Sequence, residues 1–414
     1  NVTVITDAMG GKTTSIYDAN HNLLSVTNAE DYTTSYTYDK LGRVTSTTDG
    51  NGDVTRVYYD PNGNIVKLTQ ADGHDILYSY NARNELVSYV DAEGYTHSFT
   101  YDGNGNVTSE TDGNGNTTVY TYDPLNRVIA AKNGEDGISQ VAYDADGRMT
   151  KVIDEEGGET SYIYDEDDRL ISMTDAEGYS TTFIYDAMDR VVTITDAKGG
   201  VTRYTYTDRG EVATKTDAEG YATSYEYDGN GNCVKMTTVD GDTIYEYDPL
   251  DRLIKTTTPD GESTSMTYDG VGNITSSTDA NGNTTQYKYD GVGNVVETID
   301  ALGTSAFFEY DSMGNLVKTR LHRVDTQDNV DEWEVTLYEF DGRGLTTKQV
   351  DALGNVTTFT YDGNGNLVSK TDPDGYTTEY TYNALDLVTS INYNNAKEVS
   401  YRYNATGDLV SMTD

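Results

Sequence analysis

The side chains best placed for chemistry are oxygen donors in short glycine-rich turns. The segment DGNGN recurs, for example at 102–106, 112–116 and 362–366, and sets carboxylate or amide oxygens at alternate positions. Oxygen ligands at this spacing open the calcium loop of an EF-hand, but the glycine at the sixth place and the bidentate glutamate at the twelfth are missing. We therefore expect these segments to form turns and predict no cofactor, with weak Ca²⁺ binding as the alternative.

No other group of residues suggests catalysis. The four histidines fall at unrelated positions without a candidate nucleophile beside them, and no G-x-S-x-G, H-E-x-x-H or P-loop motif occurs. Carboxylate pairs are frequent because turns use aspartate, so no single pair marks an acid–base site. The one cysteine, Cys233, fills a place that holds Leu or Val in most units, where it acts as a small hydrophobic residue. We predict no catalytic residues, no metal ligands and no enzyme activity.

The elements that position these turns follow from a Tyr-Asp pair that recurs through the chain. Nineteen anchor positions run from Tyr17 to Tyr403, with Phe340 replacing tyrosine once, and 16 of the 18 gaps equal 21 residues. One gap has 20 residues and one has 30. A constant period indicates one supersecondary unit copied end to end. The prediction is a single array over residues 1–414 that begins and ends inside a repeat, with an insertion at 319–339.

Each unit is predicted to be a β-hairpin. Two runs rich in Val, Leu, Thr and Tyr alternate with two clusters of Gly, Asn and Asp, and no stretch shows an apolar period of 3.6. Nineteen such units predict about 38 antiparallel strands in an all-β repeat array. Because strands twist, a sheet of this length has to coil or close.

Aromatic residues are predicted to form a structural ladder. An aromatic residue stands two places before the anchor in most units, and residues i and i+2 of a strand share a face. Stacked repeats would then align the rings in two columns, with cross-strand contacts that contribute roughly 0.2–1 kcal/mol each. The residues assigned to this ladder are Tyr36, Tyr38, Phe99, Tyr101, Tyr120, Tyr122, Tyr162, Tyr164, Tyr287, Tyr289, Tyr380 and Tyr382.

The longest irregular segment surrounds the 30-residue gap. It contains the only tryptophan, Trp333, together with Arg320, His322 and Arg323. Insertions in repeats map to loops on one face, which often bind partners. Two interpretations stay open: these four residues contact a carbohydrate or protein partner, or the segment is a lengthened hairpin. The turn after Phe340 is predicted to be one residue short.

The chain is strongly acidic, with 70 acidic against 28 basic residues and a net charge of −42. A surface of this charge repels phosphate backbones, so no nucleic-acid partner is predicted. It would attract a basic protein or a cation, although solubility and edge protection explain the same charge. Uncapped terminal strands further predict end-to-end self-association.

The unit Y-D-x-x-G-N/R-L/V-x-S-x-T-D-x-x-G-N/Y-T-T-x-Y resembles the YD repeat of the Rhs family along the whole chain. The resemblance implies hairpins that spiral into a hollow shell or tube wall. In Rhs effectors, Tc-toxin C components and bacterial wall-associated proteins such a shell encloses a C-terminal toxin, and in teneurins a similar shell serves adhesion. Family shells often end in an aspartyl autoprotease motif around D-P-x-G. Residues 60–63 and 372–376 match only its core and are interpreted as ordinary turns.

These observations lead to one functional prediction and one alternative. The prediction is a non-catalytic structural shell, part of a larger secreted or cell-surface bacterial protein, that encapsulates a toxin or other cargo domain of the same polypeptide. The alternative is an extracellular adhesin or fibre element that binds carbohydrate or protein partners.

Overall fold

The structure is a computed structural model that describes residues 1–325, 330–394 and 396–414. Within these residues it is all-β, with 39 strands in one sheet and no helix. The predicted all-β repeat array is confirmed.

The strands of the first half are β1 Val2–Thr6, β2 Lys12–Tyr17, β3 Leu23–Thr27, β4 Thr33–Tyr38, β5 Val44–Thr48, β6 Val54–Tyr59, β7 Ile65–Thr69, β8 Asp75–Tyr80, β9 Leu86–Val90, β10 Thr96–Tyr101, β11 Val107–Thr111, β12 Thr117–Tyr122, β13 Val128–Lys132, β14 Ile138–Tyr143, β15 Met149–Ile153, β16 Glu159–Tyr164, β17 Leu170–Thr174, β18 Ser180–Tyr185, β19 Val191–Thr195 and β20 Val201–Tyr206. Those of the second half are β21 Val212–Thr216, β22 Ala222–Tyr227, β23 Cys233–Thr238, β24 Gly241–Tyr247, β25 Leu253–Thr257, β26 Ser263–Tyr268, β27 Ile274–Thr278, β28 Thr284–Tyr289, β29 Val295–Ile299, β30 Ser305–Tyr310, β31 Leu316–Asp325, β32 Val330–Phe340, β33 Thr346–Val350, β34 Val356–Tyr361, β35 Leu367–Thr371, β36 Thr377–Tyr382, β37 Val388–Tyr393, β38 Lys397–Tyr403 and β39 Leu409–Thr413. Each strand pairs antiparallel with the next one in the chain, as the register of β10 with β9 and β11 illustrates.

Two kinds of turn alternate along the sheet. We call the turn after each anchor residue an anchor turn, such as Asp102–Asn106, and the turn half a repeat later a far turn, such as Asp112–Asn116. In both, the N–H of the first residue donates to the carbonyl of the fifth, and the N–H of the fourth donates to the carbonyl of the first. The fourth residue has positive φ, for example 92° at Gly105, which glycine adopts without steric cost. The two kinds of turn therefore form two rows at the two edges of the wall.

A β-bulge follows each anchor turn. Tyr101 pairs with Val107 while Thr100 pairs with Ser109, so Thr108 has no partner. Bulges bend a strand and increase its right-handed twist. Repeated after each anchor turn, they supply the curvature that coils a long sheet.

The two irregular gaps have different structures. The 20-residue gap contains a two-residue turn at Val239 and Asp240, closed by the pair Thr238–Gly241. The 30-residue gap is the lengthened hairpin of β31 and β32, whose residues 326–329 lie outside the described part of the chain. The prediction that the next turn is short was wrong: 341–345 has the ordinary hydrogen bonds, because Leu345 takes the fifth place and Thr346 pairs with the anchor.

The sheet is a single layer that coils back on itself. The far turn 28–32 contacts the anchor turn 269–273, and later far turns contact later anchor turns in the same way. Strands β4 to β26, which are 23 in number, separate the turns 28–32 and 269–273. We call the strands up to β26 the first winding and the strands after β26 the second winding. Among the described hydrophobic residues only Val399 is buried, with 8% of its surface exposed, so the fold has almost no conventional core. Its stability must come from the backbone ladder and from side-chain contacts on the wall.

No helix in the described ranges has the length and apolar character that would let it cross a membrane.

Candidate functional surfaces

The wall has two chemically different faces. The tyrosine face carries the anchor tyrosine, the residue two places before it and the aliphatic residue six places after it. Tyr38 pairs with Val44, and Tyr36 pairs with Thr47 beyond the bulge, so all four share this face. The predicted ladder residues all lie here at strand positions, half-buried: Tyr36, Tyr38, Phe99, Tyr101, Tyr120, Tyr122, Tyr162, Tyr164, Tyr287, Tyr289, Tyr380 and Tyr382.

The anchor tyrosines connect each repeat to the one before it through their hydroxyls. The Tyr101 hydroxyl donates to the Leu86 carbonyl at 2.7 Å, and that of Tyr122 donates to the Val107 carbonyl at 2.7 Å. Partial burial raises the pKa of Tyr101, which keeps the hydroxyl protonated as a donor. The anchors that make this bond are Tyr38, Tyr59, Tyr101, Tyr122, Tyr143, Tyr164, Tyr185, Tyr206, Tyr227, Tyr247, Tyr268, Tyr289, Tyr310, Tyr361, Tyr382 and Tyr403.

Contacts between rings contribute less to the ladder than the sequence led us to expect. In the regular repeats that the structure describes, ring pairs occur where Tyr89 meets Tyr78, His97 and Phe99. The reason is geometric, since a strand that carries aliphatic and threonine residues separates one anchor strand from the next. The anchor hydroxyl reaches the intervening strand, whereas the ring does not reach the ring of the next anchor strand.

Arginine at the fifth place of an anchor turn makes three contacts, one within its own turn and two with the next repeat. The Arg252 Nε donates to Asp248 Oδ2 at 2.7 Å, its Nη1 donates to the Asp269 carbonyl at 2.9 Å, and its guanidinium lies 4.7 Å from the Tyr268 ring centre. Burial alone would raise the pKa of Asp248, but the hydrogen bonds from Arg252 lower it overall. The same stacking occurs in the pairs Arg43–Tyr59, Arg127–Tyr143, Arg148–Tyr164, Arg169–Tyr185 and Arg190–Tyr206.

In two of the anchor turns that have no aspartate at the first place, the acid and the base have exchanged positions. In 81–85, Arg83 at the third place pairs with Glu85 at the fifth, and its guanidinium donates to the carbonyls of Asp102 at 2.7 Å and Gly103 at 2.9 Å. Turn 207–211 repeats this arrangement with Arg209 and Glu211. Sequence reasoning missed this exchange, although the N-A-R-N-E and T-D-R-G-E segments contain the signal.

The opposite side of the wall, which we call the threonine face, carries the residue before each anchor and its partner eight places after the anchor. Hydroxyl contacts such as Thr100 with Ser109 recur on it. Cross-strand ion pairs also lie here, joining Lys235–Glu226, Lys255–Glu246, Lys288–Glu297, Lys318–Glu309 and Lys348–Glu339. This side is polar, whereas the tyrosine face is aromatic and aliphatic.

The two windings meet along a seam of far turns and anchor turns. The Gly342 N–H donates to Glu93 Oε1 at 2.7 Å, and the Gly363 N–H donates to Asn114 Oδ1 at 2.8 Å. Equivalent bonds run from the N–H groups of Gly270, Gly291, Ala384 and Ala405 to Glu30, Asn51, Glu135 and Glu156. Both backbones approach closely: a Cβ added to Gly363 would lie 2.2 Å from the Gly113 carbonyl oxygen. The 21-residue period does not by itself indicate which turns meet at this seam.

Comparisons with known proteins agree with this repeat geometry. The Teneurin YD-shell family matches residues 69–214, and the RHS Repeat family matches 17–54, 206–243, 268–305, 289–326, 340–375 and 361–398. The chain belongs to the Rhs/YD-repeat family. None of the curated proteins matches the sequence.

Solved structures share the fold of this YD array. A crystal structure of TcdB2-TccC3 is 15% identical, with a TM-score of 0.69, and the match covers 100% of this chain and 29% of the other. Another, of TcdB2-TccC3 without its hypervariable C-terminal region, is 13% identical with a TM-score of 0.65, covering 100% and 31%. The chain thus spans less than a third of the length of these structures. The likeness shows that the fold is shared.

The predicted partner-binding residues of the YD array do not all lie together. His322 pairs with Trp333 across β31 and β32 and stacks on it with ring centres 4.6 Å apart, and Arg320 lies 5.9 Å from the Trp333 ring. Phe307 completes this aromatic cluster at 5.5 Å from Trp333, on the threonine face. Arg323 is one residue further along and therefore on the opposite side, where it pairs with Glu334 at 3.2 Å.

The turns that resemble calcium loops use their carboxylates internally. Asp102 Oδ1 accepts the N–H groups of Asn104 and Asn106, and its Oδ2 accepts the Asn106 amide at 2.8 Å. These bonds lower the pKa of Asp102, the Asn106 amide having the largest effect. Across the described ranges, no three His, Cys, Asp or Glu side chains converge as a metal site requires. The segments with D-P-x-G cores, 60–64 and 372–376, also form ordinary turns.

Proposed function

We propose that this YD array is a wall segment of a hollow shell that encloses a cargo domain of the same polypeptide and has no catalytic role. The observation that carries the proposal is the seam, because a sheet that returns to itself turns one face inward. With 23 strands between the contacting turns and about 4.8 Å between strands, one winding measures roughly 110 Å around and about 35 Å across. The family's bacterial members further support a secreted or cell-surface location.

The tyrosine face is proposed to line the lumen. An aromatic and aliphatic surface on the outside of a coil this long would be a large exposed apolar patch, which soluble proteins rarely tolerate. The threonine face, with its hydroxyls and ion pairs, suits contact with bulk water. Residues just before the anchors, such as Thr100 and Glu226, are indeed exposed, whereas the anchors beside them are half-buried.

This orientation changes what the wall offers to a cargo. Most of the acidic residues are turn aspartates at the edges, and the tyrosine face of the regular repeats carries few charges, among them Glu110, Lys215 and Lys370. The attraction of a basic cargo by an acidic wall stays a prediction, and the net charge of −42 is its only support. A nearly uncharged aromatic lumen fits a cargo held without tight binding. Release of the cargo that is insensitive to salt would support the uncharged lumen and count against electrostatic retention.

The single cysteine provides a test of the orientation. Cys233 pairs with Tyr227 and therefore lies on the tyrosine face. We expect it to react with a small maleimide but not with a maleimide carried on a folded protein wider than the lumen. The matched control places a cysteine at Glu226, on the threonine face, in a Cys233→Ser background; it should react with both reagents. Equal reactivity of Cys233 towards both reagents would show that the tyrosine face is outside.

Encapsulation itself is tested by cryo-electron microscopy of the longest natural polypeptide that contains this array. Extra density inside the coil is the expected result. A coil of complete windings with an empty lumen would contradict the proposal, even if the orientation test succeeded.

A second role rests on the aromatic cluster of the lengthened hairpin. Trp333 is 45% exposed and lies on the threonine face, which the proposed orientation turns outward. An exposed ring flanked by Arg320 suits a carbohydrate or protein partner. Binding on a glycan array that is lost in Trp333→Ala but retained in Tyr58→Ala, another exposed aromatic residue on the same face, would support an adhesive role.

A further inference from the structure

The seam follows a simple chemical rule. The second residue of each docked anchor turn donates its backbone N–H to the side-chain oxygen at the third place of a far turn. That residue is glycine or alanine in all six contacts. A Cβ added to Gly291 or Gly363 would collide with the facing backbone, and one added to Gly342 would collide with side chains of the first winding. A docking anchor turn therefore needs a free N–H and a small side chain at this place.

Anchor turns of the first winding often break this rule. The corresponding residues there include Pro61 and Pro124, which have no N–H, and the bulky charged Lys40 and Glu166. In turns 269–408 the same place holds Gly270, Gly291, Ser312, Gly342, Gly363, Ala384 and Ala405. The turns with proline or a bulky residue at this place interrupt the anchor row of the first winding, so another row of turns cannot dock along its whole length. We call this anchor row the finished rim.

Two far turns, in contrast, keep the residues that docking requires even though no turn is docked on them. Turns 91–95, 175–179 and 217–221 have the identical sequence DAEGY. The first is docked: Glu93 accepts the Gly342 N–H, and Tyr95 lies under the Arg343 guanidinium at 5.0 Å and is half-buried. In the other two, Tyr179 and Tyr221 are 58% and 60% exposed. Since the sequence is the same, the missing element is the opposing turn.

We propose that the far turns 175–179 and 217–221 are docking sites for a further winding of YD repeats whose anchor turns carry Gly or Ala after the first residue. Glu177 and Glu219 accept the N–H groups of the incoming turns, and Tyr179 and Tyr221 pack against the incoming row of anchor turns, as Tyr95 packs against Arg343. Continuity with the existing seam supports this occupant, because its acceptors at 93, 114, 135 and 156 continue with the same spacing of 21 residues to 177 and 219. Further windings therefore join the wall at the far row and not at the finished rim. This holds whether or not the lumen encloses a cargo.

A chain lengthened in phase tests the proposal. Residues 352–414 are repeated directly after Asp414, which occupies the same place in the repeat as Asp351. The added copies of Gly363 and Ala405 then follow Glu177 and Glu219 by 249 residues, the separation of Glu93 and Gly342. Hydrogen–deuterium exchange at 175–179 and 217–221 should slow about tenfold relative to the original chain.

The matched control carries proline in place of the added copies of Gly363 and Ala405, as Pro61 and Pro124 do naturally. This extension should form strands by circular dichroism yet leave exchange at both far turns unchanged. Unchanged exchange with the glycine and alanine extension, once its strands have formed, would overturn the proposal. Concentration-dependent protection of these turns in the original chain, with a dimer in light scattering, would assign the site to a second copy and overturn it as well.

Discussion

The same 21-residue unit makes two kinds of interface, and they differ in how they are encoded. Between neighbouring repeats, the Tyr101 hydroxyl reaches Leu86 over 15 residues, and this contact recurs with the period of the sequence. Between windings, the Gly363 N–H reaches Asn114 over 249 residues, through backbone approach and small side chains. The first interface uses large side chains on a face, and the second uses the absence of side chains at an edge. Each can be broken separately.

The largest effect is expected from filling the seam. In Gly363→Val, the new side chain meets the carbonyl of Gly113, which is backbone and cannot move aside unless the windings part. Overpacking of this kind costs about 3 kcal/mol of unfolding free energy. A lower urea midpoint, together with faster amide exchange at 112–116, would show that the seam has opened.

The matched control for this substitution is Gly229→Val. Gly229 occupies the same place in an anchor turn on the finished rim, and a Cβ there meets nothing within 4 Å. Its urea midpoint should change little. Equal losses in the two variants would mean that valine disturbs the turn itself, and the seam would not be the cause.

The next effect concerns the hydroxyl ladder. Tyr101→Phe removes the donor to the Leu86 carbonyl and keeps the ring, so the unfolding free energy should fall by about 1 kcal/mol. Tyr58→Phe is the control, because Tyr58 lies on the threonine face and is 45% exposed. Urea unfolding that ranks the two variants equally would remove the hydroxyl bond as a source of stability.

These two interfaces mark how far the sequence could be interpreted. The hairpins, both turns and the shared face of Tyr36 and Tyr38 followed from local spacing, because they depend on neighbours within about 21 residues. The seam did not follow, since the number of repeats in one winding is set by accumulated twist and bulges, which no single repeat reveals. A signal was nevertheless present: the residue after the turn's first residue varies from Lys40 to Pro124 early in the chain and is always small from Gly270 onward.

A smaller effect is expected from the arginine contacts, which belong to the interface between neighbouring repeats. Arg252→Gln loses the stacking on Tyr268 and the bond to the Asp269 carbonyl, while glutamine can still reach Asp248. Since the arginine is partly exposed, solvent screening limits the loss to about 1 kcal/mol or less. A double-mutant cycle with Tyr268→Leu should show coupling, and simple additivity of the two losses would argue against the stacking contact.

The smallest effect concerns a carboxylate cluster at the seam. Burial, followed by repulsion from Asp49, Asp311 and Asp290, raises the pKa of Asp53. Because the folded pKa of this acid exceeds its unfolded value, ionised Asp53 costs stability at neutral pH, and the cost disappears as the pH falls through the folded pKa towards about 3.9. Asp53→Asn should therefore raise the urea midpoint at pH 7 and leave it unchanged near pH 4.

The far turn 112–116 supplies the reverse experiment for this charge effect. Asn116 occupies the fifth place that Asp53 holds in its own turn, and its amide donates to Asp112 Oδ2 at 3.1 Å. Asn116→Asp should thus lower the midpoint at pH 7, because it sets a second carboxylate beside Asp112 and removes this donor. If Asp53→Asn gave the same gain at pH 4 as at pH 7, the improvement would come from the new amide bond alone, and charge repulsion would not act at this seam.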